Sequence, residues 1–409
     1  MDRLIMRELR EWYASEDGSI LFICGAPRVG KTWLIEELCK EKGVDYISLS
    51  VASMDTDKLM DGIAGRINDI HRTETLVLIM YDIDSEIAIA EARRLILRCR
   101  ETEHSVGIRI VLESSIVDKA SYTKYFVDEE YVRYLRVYPL NFLEYRNVMT
   151  KKYDYADIEL MKMYLMTGGL PECVRFFYKY GDFTGTRSVQ KKILEYIYGQ
   201  GNAKYREILE SVPIQLKSDS SGFKYRQIHK NARKREYGDT LEHLEQNGLI
   251  YRIKRFGEEM AEGFKLYMYD VGLVSAMADI DVRNIMNTEV LFRIYKELLV
   301  REFVVQELHA AGLARMCDIY YWAKARAKAK LPIILYIEES DMVVAVIFCH
   351  GNGHERSVHS FEELHKIDRL YKIWMDSEAF KGMDSGNSDL RLWDINKIPE
   401  EIINLIKHE

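Results

Sequence analysis

The sequence has little proline, no paired cysteines and no long apolar run, and each absence excludes a class of protein. Only 6 prolines occur in 409 residues, so long disordered linkers are not expected. The 6 cysteines are scattered without a C-x-x-C pair, which argues against a disulfide framework or a zinc site. No run approaches about 18 apolar residues, and the charged N-terminus is unlike a signal peptide. We therefore expect a cytoplasmic protein without a membrane span.

The sequence also lacks an excess of positive charge. Its net charge is −7, so any contact with DNA must come from a local patch. A length of 409 residues, with 47% apolar and 30% charged residues, is typical of a globular protein of two to four domains.

The strongest motif is GAPRVGKT, which matches the phosphate-binding pattern G-x-x-x-x-G-K-[ST] over Gly25–Thr32. A buried-strand pattern, SILFIC, precedes it, and a helical pattern that ends at Gly43 follows it. Strand, glycine-rich loop and helix form the context in which this motif binds phosphate. The alternative is a glycine-rich turn with an exposed lysine.

The chemistry of this motif requires each of its residue types. Gly25 and Gly30 let backbone N–H groups turn toward phosphate oxygens, Lys31 places a charge on the β- and γ-phosphates, and the Thr32 hydroxyl can ligate Mg²⁺. The start of the following helix adds a positive end. We therefore predict ATP and Mg²⁺ as ligands, held by Gly25, Ala26, Pro27, Arg28, Val29, Gly30, Lys31, Thr32 and Trp33.

Further strand patterns at 45–50, 75–82, 107–114 and 131–138 alternate with helical patterns, which predicts a parallel sheet in an α/β domain. One of these strands lies in sequence between the phosphate loop and the strand that ends at Asp82. These two strands therefore need not be neighbours in the sheet, as in the P-loop division that includes AAA+ ATPases.

Polar residues end two of these strands, at the edge where ligands of parallel sheets collect. We assign Asp82 to Mg²⁺, directly or through water. Ser114 or Ser115 is predicted either to sense the γ-phosphate or to cap a helix.

Several phrases give the chain a family resemblance: GAPRVGKT, LRVYPLNFLEY, TGGLPECV, GFKLYMYDVGLVSA, and LLVREFVVQEL followed by IYYW. Together they resemble a family of uncharacterised bacterial and archaeal AAA+-like P-loop ATPases, related to the STAND signalling ATPases. The resemblance implies an α/β fold with four parts. These are an AAA+-like core (1–150), a helical lid (151–185), a winged helix (186–285) and a PD-(D/E)XK nuclease-like domain (286–409).

The resemblance also implies roles for residues outside the phosphate loop. GGLP looks like the G-x-P motif of the lid, which makes Gly169 and Pro171 candidates for contact with the adenine; alternatively, Pro171 simply starts a helix. Arg136, or its rival Arg133, could reach the nucleotide in its own or a neighbouring subunit, the alternative being a solvated surface arginine.

The chain departs from the family pattern after Asp82. Relatives have a glutamate there that polarises the attacking water, whereas this chain has Ile83. Asp84 or Glu86 could substitute, or Asp84 or Ser85 could only cap the next helix. Loss of a catalytic base costs about 10²–10⁴-fold in rate, so we expect tight nucleotide binding and slow ATP hydrolysis. The catalytic candidates are Asp82, Asp84, Ser114 and Arg136.

The middle segment predicts a helix and a hairpin of winged-helix type. Lys224–Arg235 holds six Lys and Arg residues and no acid, which favours contact with DNA. The helix that follows carries an acidic stripe, at Glu236, Asp239, Glu242 and Glu245, which would repel phosphates. DNA contact through the basic segment and the wing (Arg252, Lys254, Arg255) and a domain-packing role both remain open.

The last segment lacks the acids of a metal nuclease. Where relatives carry the first acid this chain reads AKARAKAK (Ala323–Lys330), and where they carry Glu-x-Lys it reads VAVIFCH, so that only Glu302 is kept. The basic side chains Lys324, Arg326, Lys328 and Lys330 could contact phosphate or protein, or simply be solvated. His350 and His354 near Cys349 are a weak indication of metal. We also predict strands in this domain and a helix over residues 360–375.

These observations predict a nucleotide-dependent switch that hydrolyses ATP slowly and carries an inactive nuclease-like domain. The alternatives are a DNA-processing ATPase and a scaffold that holds ATP as a structural ligand. A protein partner or self-association is compatible with the sequence.

Overall fold

A computed structural model of the chain divides into two compact units. Unit 1 contains Met1–Tyr138 and His243–Leu249, and unit 2 contains Pro139–Glu242 and Ile250–Glu409. The residues that the structure describes are 3–15, 18–51, 75–101, 107–117, 132–218, 222–257, 263–281, 298–324, 329–349, 355–374 and 389–408.

Unit 1 contains a five-stranded parallel sheet with the strand order β2-β3-β4-β1-β5. The strands are β1 (Ile20–Cys24), β2 (Asp45–Ser50), β3 (Thr75–Tyr81), β4 (Gly107–Ser114) and β5 (Val132–Arg136). The helices are α1 (Met6–Ala14), α2 (Lys31–Lys42) and α3 (Glu86–Glu101). The predicted parallel α/β sheet is therefore confirmed. Strands β1 and β3 are not neighbours, because β4 lies between them.

The sequence of each central strand explains its place in this sheet. All five residues of β1 are buried, as are the five central residues of β3, which fits strands covered on both faces. Their side chains join those of α3 in one apolar core, which includes Phe22, Leu78 and Leu95. Helix α2 ends, as predicted, at Gly43, whose φ of 65° is left-handed.

Unit 2 combines helices with a seven-stranded mixed sheet in the order β12-β11-β10-β9-β8-β6-β7. Its helices are α4 (Phe142–Met149), α5 (Asp157–Thr167), α6 (Pro171–Tyr180), α7 (Phe183–Gly199), α8 (Ala203–Lys217), α9 (Lys234–Gln246), α10 (Val271–Met277), α11 (Leu298–Ala310), α12 (Glu355–Glu362) and α13 (Lys397–His408). Its strands are β6 (Ile250–Arg255), β7 (Phe264–Met268), β8 (Asp318–Ala323), β9 (Lys330–Ile337), β10 (Met342–Cys349), β11 (Arg369–Trp374) and β12 (Asp389–Arg391). The last residues of α9, from His243, are grouped with unit 1.

The predicted hairpin of the middle segment exists as β6 and β7, which pair antiparallel. It is part of a larger sheet, because β6 also pairs in parallel with β8 through Lys254 and Arg255. The sheet thus continues across the predicted limit at 285/286. The winged helix, the lid and the nuclease-like domain stay predictions.

The helix predicted over residues 360–375 is wrong in its second half. Helix α12 ends at Glu362, and residues 369–374 form strand β11, which pairs in parallel with β10. Tyr371 and Ile373 are buried while their neighbours are more exposed, which is the two-residue period of a strand. Asp368 fixes the start of this strand by accepting a hydrogen bond from Val343 N at 2.9 Å. Pairing with a neighbouring strand here overrides the local helical pattern.

A buried polar network holds the helices of unit 2 together. The Glu307 carboxylate accepts hydrogen bonds from Phe142 N at 3.0 Å and from the Tyr164 hydroxyl at 3.2 Å. Gln306 donates to the same hydroxyl at 2.8 Å and accepts from Val271 N at 2.8 Å. One end of α11 therefore connects α4, α5 and α10 through groups that are removed from water, where each hydrogen bond is costly to lose.

No helix among the described residues is both long and apolar enough to cross a membrane.

The burial of Glu307 makes the stability of the protein depend on pH. Burial raises the pKa of its carboxyl from 4.5 to about 8. Between these values the folded state holds a proton that the unfolded state has released, so the free energy of unfolding falls as pH rises toward about 8. We expect Glu307→Gln to reduce this fall by a few kcal/mol between about pH 5 and about pH 8, as measured by urea denaturation.

The exposed Glu362 provides the control, because Glu362→Gln removes a carboxyl that is not buried. Equal pH dependence in wild type and Glu307→Gln would contradict the assignment of this effect to Glu307.

Candidate functional site

The phosphate loop connects the carboxyl end of β1 to the first residue of α2. Gly30 caps α2 with a φ of 93° and Arg28 has a φ of 67°, so the backbone turns sharply twice within three residues. A Cβ atom at Gly25 would overlap the carbonyl oxygen of Val137. Left-handed turns of this kind direct successive N–H groups into a concave surface suited to an anion. Of the other predicted contacts, Ala26 and Val29 are buried, Arg28 is exposed, and Pro27 and Trp33 are half-buried.

Lys31 is buried at the N-terminus of α2, with only 7% of its surface exposed. Its Nζ donates to the carbonyl oxygens of Gly25 at 2.9 Å and Ala26 at 3.3 Å. Burial lowers the pKa of the amine, while the charges of Glu113 and Asp84 oppose this shift. The loop therefore holds its positive charge against its own backbone, next to two carboxylates.

Arg3 fixes the loop to the end of the sheet, a role that sequence analysis missed. Its guanidinium donates to the carbonyl oxygens of Val29 at 3.3 Å and Tyr138 at 2.8 Å. Arg3 gave no signal in the sequence, because both of these partners are backbone atoms.

The structure places a carboxylate beside Thr32 that sequence analysis also missed. The Thr32 hydroxyl lies 2.8 and 3.0 Å from the two carboxylate oxygens of Glu113, the residue before Ser114 in β4. Burial raises the pKa of Glu113, and Lys31 and Thr32 act in the opposite direction. The signal that could have identified it is an acid within an apolar strand pattern, next to the polar strand end.

The two acids that follow β3 are engaged elsewhere. Asp82, at a φ of 63°, accepts a hydrogen bond from the Ser50 hydroxyl at the end of β2. Asp84 accepts from the Ser114 hydroxyl at 2.8 Å and from Ser115 N at 2.7 Å. The predicted roles of Asp82 at the metal and of Asp84 and Ser114 in catalysis stay predictions. Within the described residues, no group of three or more His, Cys, Asp and Glu forms a metal-binding cluster.

Between these acids, Ile83 is fully buried in the core of unit 1. Its amide donates to the Glu113 carbonyl oxygen at 3.2 Å. Ser85 caps α3, because its hydroxyl accepts from Ala88 N at 3.1 Å, and Glu86 is exposed in the first turn of that helix. The capping alternative thus applies to Ser85, while Asp84 turns toward β4.

The two arginine candidates differ in position along β5. Arg136 ends the strand opposite Cys24, the last residue of β1, and its guanidinium lies 4.9 Å from the centre of the Tyr138 ring. Arg133 is exposed three residues earlier. Arg136 therefore lies at the edge of the sheet from which the phosphate loop begins, and its contact with nucleotide stays a prediction.

Gly169 and Pro171 belong to unit 2, where packing accounts for their identity. The Asp270 carboxylate accepts a hydrogen bond from Gly169 N at 2.7 Å and from Leu273 N at 3.1 Å. A Cβ atom at Gly169 would overlap the Leu140 carbonyl oxygen. Pro171 is the first residue of α6, as the helix-start alternative predicted. Contact of either residue with adenine stays a prediction.

The described acidic residues that could serve a metal nuclease lie in different elements of the C-terminal segment. Glu302 is fully buried in α11, and Glu338, Glu339 and Asp341 lie in the turn between β9 and β10. Lys324 pairs with Glu363 at 2.9 Å, and Lys330 is half-buried. Arg326, Lys328, His350 and His354 lie outside the described residues. The predicted loss of nuclease activity is untested.

Comparisons with known proteins add little to this geometry. A family model described as "Domain of unknown function (DUF8612)" matches residues 158–284. No curated protein matches the sequence. The Orc1 protein of Aeropyrum pernix, solved in complex with DNA, is similar at 11% identity over 67% of this chain and 91% of its own, with a TM-score of 0.35. The RuvB Holliday junction branch migration motor of Thermotoga maritima is similar at 11% identity over 62% of this chain and 90% of its own, with a TM-score of 0.38.

The family match covers less than half of the chain, and both TM-scores are low. None of these similarities assigns a function to the phosphate loop.

The close packing of Gly169 gives a test of its structural role. We expect Gly169→Ala to lower the free energy of unfolding by at least about 2 kcal/mol, because the new methyl group would displace a backbone carbonyl. The measurement is urea denaturation followed by circular dichroism. Gly238 in α9 has no atom within 4 Å of an added Cβ, so Gly238→Ala should leave stability unchanged or raise it by up to about 1 kcal/mol. Equal effects of the two variants would contradict the conclusion that close packing around Gly169 excludes a side chain.

Proposed function

We propose that this protein binds Mg²⁺·ATP at the loop Gly25–Thr32, hydrolyses it slowly, and uses the bound nucleotide as a switch. The observation that carries the proposal is the loop itself. It follows a buried central strand, turns at Arg28 and Gly30, and delivers a buried lysine at a helix N-terminus. This combination of backbone N–H groups, a lysine and a helix end suits a polyphosphate.

The residues around the loop fit Mg²⁺ as the accompanying ion. Thr32 and Glu113 offer a hydroxyl and a carboxylate within hydrogen-bond distance of each other. These are oxygen ligands, which Mg²⁺ prefers, and Mg²⁺ is commonly held by one or two protein groups with phosphates and waters completing its shell. The bound ion would neutralise charge on the phosphates.

Slow turnover is supported by the environment of Ile83. Ile83 is fully buried in an apolar core and has no carboxylate that could activate the attacking water. Hydrolysis should therefore lack the contribution of a general base at this position, which is worth about 10²–10⁴-fold in rate. A long-lived ATP state suits a protein whose nucleotide selects between conformations.

Removal of the Lys31 charge tests nucleotide binding. We expect Lys31→Ala to weaken ATP binding by at least about tenfold, because a charge-assisted contact with phosphate is lost. Isothermal titration calorimetry measures the affinity, and phosphate release measures turnover. Lys40→Ala is the matched control, since Lys40 is exposed near the other end of α2. Wild-type affinity in Lys31→Ala would contradict the proposal.

A second candidate function, DNA binding, is favoured by the basic segment. All six of its basic side chains are exposed: Lys224, Arg226, Lys230, Arg233, Lys234 and Arg235. The acidic stripe of α9 is also largely exposed, at Glu236, Asp239 and Glu242, so the helix itself would repel a phosphate backbone. Contact would have to come from the segment that precedes it.

If the basic segment binds DNA, the variant Arg226→Ser/Lys230→Ser should lower the affinity for duplex DNA. The slope of log K against log salt should become shallower by roughly one per lost phosphate contact. Fluorescence anisotropy over a salt series measures both. The control Lys191→Ser/Lys192→Ser removes the same charge from exposed positions of α7. Identical slopes in the two variants would exclude the segment as the DNA contact.

A further inference from the structure

We infer that Glu113, on β4, is the carboxylate that positions Mg²⁺ at the phosphate loop, acting through the hydroxyl of Thr32. This inference rests on the proposed function, because it assumes that the loop binds Mg²⁺·ATP. It moves the metal-positioning role from the strand end at Asp82 to the neighbouring strand.

The side chains of Thr32 and Glu113 are in direct contact. The Thr32 hydroxyl lies 2.8 Å from one Glu113 oxygen and 3.0 Å from the other. A hydroxyl that donates its proton to a carboxylate leaves its oxygen lone pairs free to ligate a cation. Side chains that orient a metal ligand in this way contribute on the order of 10- to 100-fold to metal affinity.

The register of the sheet places Glu113 close to the loop. Glu113 is paired with Ile23 of β1, two residues before the loop begins at Gly25. Gly25 N itself donates to the carbonyl oxygen of Ser114 at 3.2 Å. The end of β4 is therefore fixed directly to the start of the loop, so the position of Glu113 relative to Thr32 is set by backbone pairing.

The two other acids near the loop, Asp82 and Asp84, form hydrogen bonds with other residues. Asp82 is turned by its positive φ toward Ser50 of β2, on the far side of β3 from β4. Asp84 is held by the hydroxyl of Ser114 and the amide of Ser115. Among the described residues, the carboxylate that the Thr32 hydroxyl contacts is that of Glu113.

The charge balance also suits a cation at this position. Glu113 and Asp84 both act on the buried amine of Lys31, and Asp82 and Asp84 both act on Glu113. Two carboxylates thus act on one lysine, and a third acts on Glu113, at the place where a polyphosphate would add further negative charge. A divalent cation beside Glu113 would offset this repulsion.

The test measures how nucleotide binding by the full-length protein depends on Mg²⁺. A fluorescent ATP analogue is titrated in EDTA and then over a series of Mg²⁺ concentrations, and Mn²⁺ binding is followed by electron paramagnetic resonance. We expect Glu113→Gln to raise the Mg²⁺ concentration for half-maximal effect about tenfold or more, without weakening binding in EDTA. Glu113→Asp, which keeps the charge on a shorter side chain, should give an intermediate value.

The control variants separate this role from the others. Glu37→Gln, on α2 and outside the site, should behave as wild type. A Mg²⁺ requirement that is unchanged in Glu113→Gln but raised in Asp82→Asn would overturn the inference and return the role to Asp82. If wild type itself binds no nucleotide, the proposed function fails and the inference with it. Thermal melts identify a variant that fails to fold, in which case Glu113→Asp alone decides.

Discussion

The pairing of β4 between β1 and β3 determines which side chains meet at the phosphate loop. Backbone hydrogen bonds fix Ser114 opposite Cys24 on one side, and Leu112 opposite Met80 on the other. In a parallel sheet all three strands end at one edge, so the end of β4 stands between the loop and the acids that follow β3. Every contact described around Thr32, Asp84 and Ser114 depends on this arrangement.

In unit 2 a buried carboxylate, that of Asp270, holds two sequence motifs together. TGGLP and YDVG come together because Asp270 accepts hydrogen bonds from both segments. Burial raises the pKa of Asp270 to about 6, and the backbone donors oppose that shift. The packing here is close, because a side chain at Gly168 would overlap the Asp270 carboxylate and one at Gly169 would overlap the Leu140 carbonyl oxygen. An unusual sequence motif can therefore reflect close packing as well as contact with a ligand.

The sequence predicted well those features that depend on local pattern. The strands of unit 1, the phosphate loop and the end of α2 follow from apolar runs and glycine positions, which act over a few residues. It failed at β11, where pairing with β10 decided between two patterns. It also missed Arg3, Glu113 and Asp270, because their contacts with Val29, Thr32 and Gly169 span 26 or more residues of sequence. The roles of Glu113 and Asp270 depend on strand order and helix packing, which periodicity does not specify.

The burial of Ile83 limits which side chains this position can accept. A glutamate at this position, with the present backbone, would place a charge among Leu78, Ile89 and Leu112 at a high cost in free energy. A carboxylate at this position would therefore require the chain around Asp82 to turn differently, together with the substitution. The position accepts only apolar side chains as long as the backbone keeps its present course.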